Sequence, residues 1–120
     1  GELAEGINAV LPELLGLSDD LVAQLVELNA DPQIINIAAR QRMLTQRIAG
    51  NVARALQGGE DAIIAADRFG RDVGLFGRVL NAMRSGDDLM EIQPLADSDS
   101  IEMLDQIDEV YAVLNELISD

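Results

Sequence analysis

The amino-acid sequence predicts an all-α protein, an antiparallel four-helix bundle whose first helix is kinked or split. Apolar residues recur at steps of three and four along most of the chain, and no segment alternates as an amphipathic strand does. Aromatic residues make up only 2 % of a chain that is 48 % apolar, so the core must be aliphatic and methionine-rich, which suits packed helices. A chain of 120 residues can bury such a core as one domain, expected over residues 1–120.

The first helix is expected over residues 2–29. Its apolar stripe follows alternating steps of four and three and consists of Leu3, Ile7, Val10, Leu14, Leu17 and Leu21. Pro12 lacks an amide hydrogen, Gly16 is a poor helix former, and Ser18-Asp19-Asp20 is typical of a new helix N-terminus. We therefore expect this helix to be kinked or split near residues 15–18.

The second helix is expected over residues 32–57 and has signals at both ends. Asp31 is a favourable N-cap residue, and Pro32 suits the first helical position because an amide hydrogen there would have no helical partner. Gly58-Gly59 ends the helix, since glycine is the usual residue after a helix C-terminus.

The third helix is expected over residues 60–84 and the fourth over residues 98–118. Apolar positions of the third helix keep 4-3 spacing until Ser85-Gly86 ends it. The fourth helix begins after a loop that contains Pro94. Because the loops between these long amphipathic helices are short, sequential helices are expected to lie side by side and antiparallel.

The composition excludes several classes of function. The chain has no Cys and no His, so it lacks the usual zinc and iron ligands and the usual catalytic base and nucleophile pairs. We therefore expect no metal, no cofactor and no enzymatic activity. A net charge of −14 disfavours nucleic acid, because most of the surface would repel phosphate. No run of about 18 apolar residues occurs, so no segment of this chain is expected to span a membrane.

The cations of this acidic chain are confined to one segment. All eight are arginines between Arg40 and Arg84, where four acids leave a local balance of +4. The rest of the chain contains the other eighteen acids and no cation. Such a basic strip suits a small anion, although arginines also pair commonly with acids on neighbouring helices.

The second helix carries two regular faces. One is the apolar face that packs in the bundle core. The other, which we call the second face, lies roughly 120° to 140° away at ~100° per residue. It keeps steps of four and three and consists of Ile35, Ala39, Arg42, Gln46, Ala49 and Ala53. Its small residues permit the close approach of another helix, and Arg42 lies near its middle.

Two interpretations of the second face stay open. It packs on another helix of the same bundle, as each helix of a bundle must, or it forms a homodimer interface. In a symmetric dimer, two copies of Arg42 would face each other, which is unfavourable unless an anion lies between their guanidinium forks. The candidate ligand-binding residues are thus Arg42, Ala39 and Gln46, and the other residues of the dimer interface are Ile35, Ala49 and Ala53.

A separate stripe of arginines follows the second helix at seven-residue spacing: Arg40, Arg47 and Arg54. The stripe borders the core face, so these side chains are expected to cover apolar surface or to pair with acids. We assign them as supporting ion-pair residues.

The segment Ile37–Ile48, IAARQRMLTQRI, resembles the signature helix of PilJ-type domains, the N-terminal sensor modules of methyl-accepting chemotaxis transducers for type IV pili. The same signature is similar to the nitrate-binding segment of bacterial nitrate sensor kinases. The segment Ala66–Leu80 resembles the following helix of the pilus transducer, whose sensor region carries two such modules in tandem. This chain is similar to the second module.

The resemblance implies a periplasmic helical domain of a bacterial inner-membrane protein, whose membrane anchors lie outside this chain, and a homodimer along the signature helix. In the nitrate-binding relatives, the arginine just before the signature methionine reaches the ligand on the two-fold axis, and that position is Arg42. Those relatives often have glycine two or three residues before this arginine, where this chain has Ala39. The implied ligand is a small anion, such as nitrate or a different one.

Three functions stay open, and one of them is a plain structural bundle in which Arg42 pairs with a carboxylate of the same chain. The other two are of different classes. The first is a sensory domain that controls twitching motility, in which a stimulus at the second face shifts the packing of the helices. The second is a protein-interaction module that docks a pilin or another periplasmic protein through its acidic surface and binds no small molecule.

Overall fold

A computed structural model describes residues 1–119. Its regular elements are four helices: α1 Glu2–Glu27, α2 Pro32–Gln57, α3 Asp61–Ser85 and α4 Ser98–Ser119. Each boundary lies within two residues of its predicted position, and no strand occurs among the described residues. The predicted all-α fold is therefore confirmed.

Neighbouring helices run antiparallel around the bundle. Arg47 of α2 bonds to Asp72 of α3, and Arg84 at the end of α3 bonds to Asp105 near the start of α4. The last turn of α4 lies beside the first turn of α1, and α1 also packs against α2. This arrangement is the predicted antiparallel four-helix bundle.

The core is aliphatic, as the composition predicted. Leu14, Ile48, Leu104 and Leu114 are 0 % exposed and come from α1, α2 and α4. From α3, the buried ring of Phe76 stacks on Tyr111 with the ring centroids 5.7 Å apart. All four helices thus contribute to one core, which fixes the faces of α2 that remain at the surface.

The first helix is continuous, so a split near residues 15–18, one of the two predicted alternatives, is wrong. Pro12 lies inside α1 and removes one backbone hydrogen bond there. Ser18 does not cap a new helix, because its side chain is buried and its hydroxyl has no partner among residues 1–119. Leu11 and Leu14 are buried on either side of the Pro12 turn, and this packing favours one unbroken helix.

The ends of α2 are fixed by the residues that predicted them. The Asp31 carboxylate accepts a hydrogen bond from the Gln33 amide at 3.0 Å, and Gly58 has a φ of +77°. The α3–α4 loop lies at the end of the bundle where α2 begins. There the Gln33 side chain donates a hydrogen bond to the Glu91 carbonyl at 2.7 Å. This contact holds the loop beside the first turn of α2.

Candidate functional site on the second helix

Arg42 lies at the surface between α2 and α1. Its Nε is 3.5 Å from the Asp19 carboxylate of α1, and both side chains are substantially exposed, 40 % for Arg42 and 52 % for Asp19. An exposed ion pair of this length contributes about 0–1 kcal/mol to stability. Arg42 therefore has an intramolecular carboxylate partner, but a weakly held one.

The second face of α2 divides into two halves. Ile35, Ala39 and Arg42 are partly buried, whereas Gln46, Ala49 and Ala53 are exposed. The exposed half borders a shallow groove of about 340 Å³ against α1, lined by Asn8, Leu11, Pro12, Leu15, Thr45, Gln46 and Ala49. The second face therefore packs within the bundle over its first half and leaves small side chains open to solvent over its second half.

Two of the three stripe arginines, Arg47 and Arg54, have hydrogen-bond acceptors of different kinds. Arg47 donates to both oxygens of Asp72, at 2.6 and 3.2 Å, and this hydrogen bonding and the charge of Asp72 raise the pKa of Arg47. Arg54 donates to the neutral side-chain oxygen of Asn51 at 3.3 Å.

Arg40 makes no salt bridge in the part of the chain that the structure describes. The assignment of Arg40 and Arg54 as ion-pair residues therefore stays a prediction, with no acid within salt-bridge distance of either among residues 1–119. The i,i+7 spacing puts the stripe residues on one face of α2, but within residues 1–119 only Arg47 among them forms a salt bridge with an acid of α3.

Asp72 is a candidate-site residue that the sequence pattern does not single out. It is one of the four acids within the arginine segment, and its side chain is 11 % exposed and lies between α2 and α3. Gln41 is a buried polar residue on the core face of α2, and its amide donates to the Phe76 carbonyl at 2.9 Å. An acidic or amide residue on an otherwise apolar helix face is the signal that marks both positions.

An apolar groove flanks Arg47 on the α2–α3 side. It has a volume of about 420 Å³ and is lined mainly by apolar side chains of α2, α3 and the α3–α4 loop: Ile37, Arg40, Gln41, Met43, Leu44, Arg47, Leu75, Val79, Met90 and Ile92. The exposed Met43 adds apolar surface at its rim. This groove depends on the placement of three elements, so no single-helix pattern could predict it.

Within residues 1–119, no group of three or more acidic, His or Cys side chains is arranged to hold a metal ion. None of the helices described over the same residues is long and apolar enough to cross a membrane.

Comparison with known proteins identifies the family. A profile of the family described as type IV pili methyl-accepting chemotaxis transducer N-terminal domain, PilJ, matches residues 23–117. Similar proteins include AlkN of Alcanivorax borkumensis, named for methyl-accepting chemotaxis, which is 39 % identical over 110 residues. Protein PilJ of Pseudomonas aeruginosa is 34 % identical over 110 residues. Each alignment covers 92 % of this chain and 16 % of the relative, so the chain spans about a sixth of the relatives' length.

The chain belongs to the PilJ family of N-terminal domains of type IV pili methyl-accepting chemotaxis transducers. The resemblance inferred from the α2 and α3 segments is therefore confirmed. The matched range includes all of α2 and α3, and hence Arg42 and the stripe arginines.

Proposed function

We propose that this chain is an extracytoplasmic sensory module of a chemotaxis transducer that controls twitching motility by type IV pili. The family match supports a role in chemotaxis transduction. We further propose that residues 1–120 form one module, the second of two in tandem, in the periplasmic part of a bacterial inner-membrane protein. The module has no catalytic activity in this proposal.

The module acts as a homodimer along the second face of α2. The exposed Ala49 and Ala53 support this proposal, because small side chains allow a second helix to approach closely. Two copies of Arg42 would then meet near the two-fold axis, together with Ala39 and Gln46, and a small anion such as nitrate would bind between them.

The proposed mechanism depends on the weak ion pair between Arg42 and Asp19. Because this ion pair is 3.5 Å long and exposed to solvent, replacing Asp19 by a bound anion as the partner of Arg42 loses little stabilising free energy. The exchange would remove a contact between α1 and α2, so anion binding would favour a different packing of these two helices. A ligand shifts such an equilibrium only by its difference in affinity for the two packings.

Calorimetric titration with nitrate, nitrite and small carboxylates tests this proposal. We expect one anion per two chains, and loss of binding in Arg42→Gln. The variant Asp19→Asn should bind more tightly, because it removes the competing carboxylate. As a matched control, Arg78→Gln removes an exposed arginine of α3 and should bind as the unmodified chain does. Absence of heat with every anion would contradict the anion-sensing proposal.

A second candidate function is the docking of a pilin or another periplasmic protein without a small ligand. It is favoured by an acidic cleft of about 360 Å³ between α1 and α4, lined by Asp20, Gln24, Asp99, Glu102, Met103 and Gln106. Neither of these helices contains an arginine, so every charged side chain that they contribute to the cleft is acidic. Charge complementarity would then favour a basic partner surface.

Twitching assays with the full transducer separate the two functions. Docking predicts that Asp99→Asn with Glu102→Gln impairs motility and that Arg42→Ala does not. Anion sensing predicts the reverse result for the same two variants.

A further inference from the structure

A second arginine site lies between α2 and α3, on a different side of α2 from the Arg42–Asp19 pair. It is a cleft of about 350 Å³ lined by Arg47, Asn51, Arg54, Arg68, Arg71 and Asp72. The volume is sufficient for a small polar molecule. Four of the eight arginines of the chain therefore share one cleft.

The charges in this cleft do not balance. Arg47 is bound to Asp72, and Arg71 is bound to Asp67 at 3.0 Å. Arg54 and Arg68 make no salt bridge within residues 1–119. Four arginines against two aspartates leave a formal charge of +2 at the cleft.

This excess of positive charge is unexpected in this chain. Acids outnumber arginines by 22 to 8, so carboxylates for pairing are plentiful. Like charges that share one cleft repel each other, although solvent screens exposed guanidinium groups, and a bound anion would offset the repulsion. Structural ion pairing alone thus explains Arg47 and Arg71 but leaves Arg54 and Arg68 unexplained.

Two of the cleft arginines, Arg47 and Arg54, are also held in position. Asn51 is 4 % exposed, and its side-chain oxygen accepts from Arg54 at 3.3 Å. This neutral acceptor orients the Arg54 guanidinium without cancelling its charge. Arg47 is fixed by its two bonds to Asp72. Side chains oriented in advance lose less conformational entropy when a ligand binds.

We propose that this cleft binds one small dianion per chain, with Arg54 and Arg68 as its principal ligands. Phosphate and dicarboxylates share the required chemistry, two negative charges and oxygen acceptors that match guanidinium forks. The local charge of +2 matches a dianion better than a monoanion. Because the chain carries a net charge of −14, long-range repulsion should make binding modest and dependent on salt.

Calorimetric titrations of the chain with phosphate and with succinate test the proposal, with nitrate and acetate as monoanions. We expect one dianion per chain and an affinity roughly tenfold or more above that for either monoanion. The relative affinity for phosphate and succinate identifies which source of the dianion the cleft prefers. The double variant Arg54→Gln/Arg68→Gln should weaken dianion binding about tenfold or more.

The matched control is the double variant Arg40→Gln/Arg78→Gln. It removes the same charge from the same two helices, at arginines that also make no salt bridge in the described chain but lie outside the cleft. Its dianion affinity should stay within about twofold of the unmodified value. If Arg54→Gln/Arg68→Gln does not fold, as judged by circular dichroism, the single variant Arg68→Gln serves in its place.

Three results would overturn the proposal: no binding of either dianion, an equal loss in the control variant, or loss of dianion binding in Arg42→Gln. The last of these would assign the anion to the second face of α2. If nitrate does not bind, the proposal for this cleft is unaffected. Nitrate binding tests the separate Arg42 site, where one anion per two chains is expected.

Discussion

Arg47 binds Asp72 through two hydrogen bonds, at 2.6 and 3.2 Å, and thereby ties the middle of α2 to the middle of α3. The pair is asymmetric, since the Asp72 side chain is 11 % exposed and the Arg47 side chain is 62 % exposed. The carboxylate is thus buried under its arginine partner. By contrast, Arg42 contacts Asp19 through one long, exposed ion pair, so Arg42 and Arg47, two of the three arginines in the segment Ile37–Ile48, differ sharply in how firmly they are held.

Replacing Arg47 with Gln should lower the free energy of unfolding by about 1–3 kcal/mol, because it leaves a mostly buried carboxylate without its charged donor. Urea denaturation measures the change. The matched control is Arg71→Gln, which breaks an exposed i,i+4 pair with Asp67 in the same region. That control should cost no more than about 0.5 kcal/mol. Equal losses in the two variants would contradict a structural role specific to the Arg47–Asp72 pair.

The turn before α4 should make stability depend on pH. Asp97 accepts a hydrogen bond from the Ser100 amide at 2.9 Å. Burial opposes ionisation of Asp97, but hydrogen bonding from Ser100 and from the backbone amide of Asp97 together outweighs it and lowers the pKa of Asp97 below its ordinary value. Because the folded-state pKa is the lower one, this stabilisation is complete above the unfolded pKa of about 4 and is lost as the pH falls through the folded pKa.

Asp97→Ala should therefore cost about 1 kcal/mol at neutral pH, the usual cost of losing a helix cap. The difference in unfolding free energy between the two chains should shrink as the pH falls from about 6 to about 3. Asp97→Asn is the control, because asparagine accepts the same hydrogen bond without titrating. A difference that stays constant across this range would show that ionised Asp97 does not provide the stabilisation.

The contact between Gly77 of α3 and Tyr111 of α4 provides a test of how closely these two helices pack. A Cβ atom on Gly77 would overlap the Tyr111 hydroxyl, which donates to the Val73 carbonyl at 3.0 Å. Gly77→Ala should therefore destabilise the protein by about 1–3 kcal/mol, as overpacking usually does. Gly70→Ala is the matched control on the same helix, because a Cβ there meets nothing within 4 Å. It should stabilise by about 0.5–1 kcal/mol through helix propensity. Thermal unfolding of both variants checks the opposite signs.

Helix boundaries could be predicted from the sequence where local chemistry decides them. Asp31 and Gly58 act through backbone hydrogen bonding and a positive φ that need no distant partner, so α2 begins and ends where expected. The Pro12 region could not be predicted in the same way. Its outcome depends on burial of Leu11 and Leu14 against the other helices, which a local reading does not include.

The site was less predictable than the fold for a related reason. Helical spacing predicts that Arg42 lies on a different face of α2 from Arg40 and Arg47, because this placement depends on α2 alone. Spacing could not reveal that Asp19 of α1 lies beside Arg42, or that Asp72 of α3 lies beside Arg47. Those contacts depend on the register between helices, and the arginine cleft between α2 and α3 depends on it in the same way.

A crystal structure of this chain grown with nitrate tests the central claim most directly. The proposal predicts two chains packed along the second face of α2, with one anion between the two Arg42 side chains. It also predicts that Arg42 lies farther from Asp19 than the present 3.5 Å. An Arg42 that keeps its contact with Asp19 in crystals whose anions bind only in other places would contradict the claim.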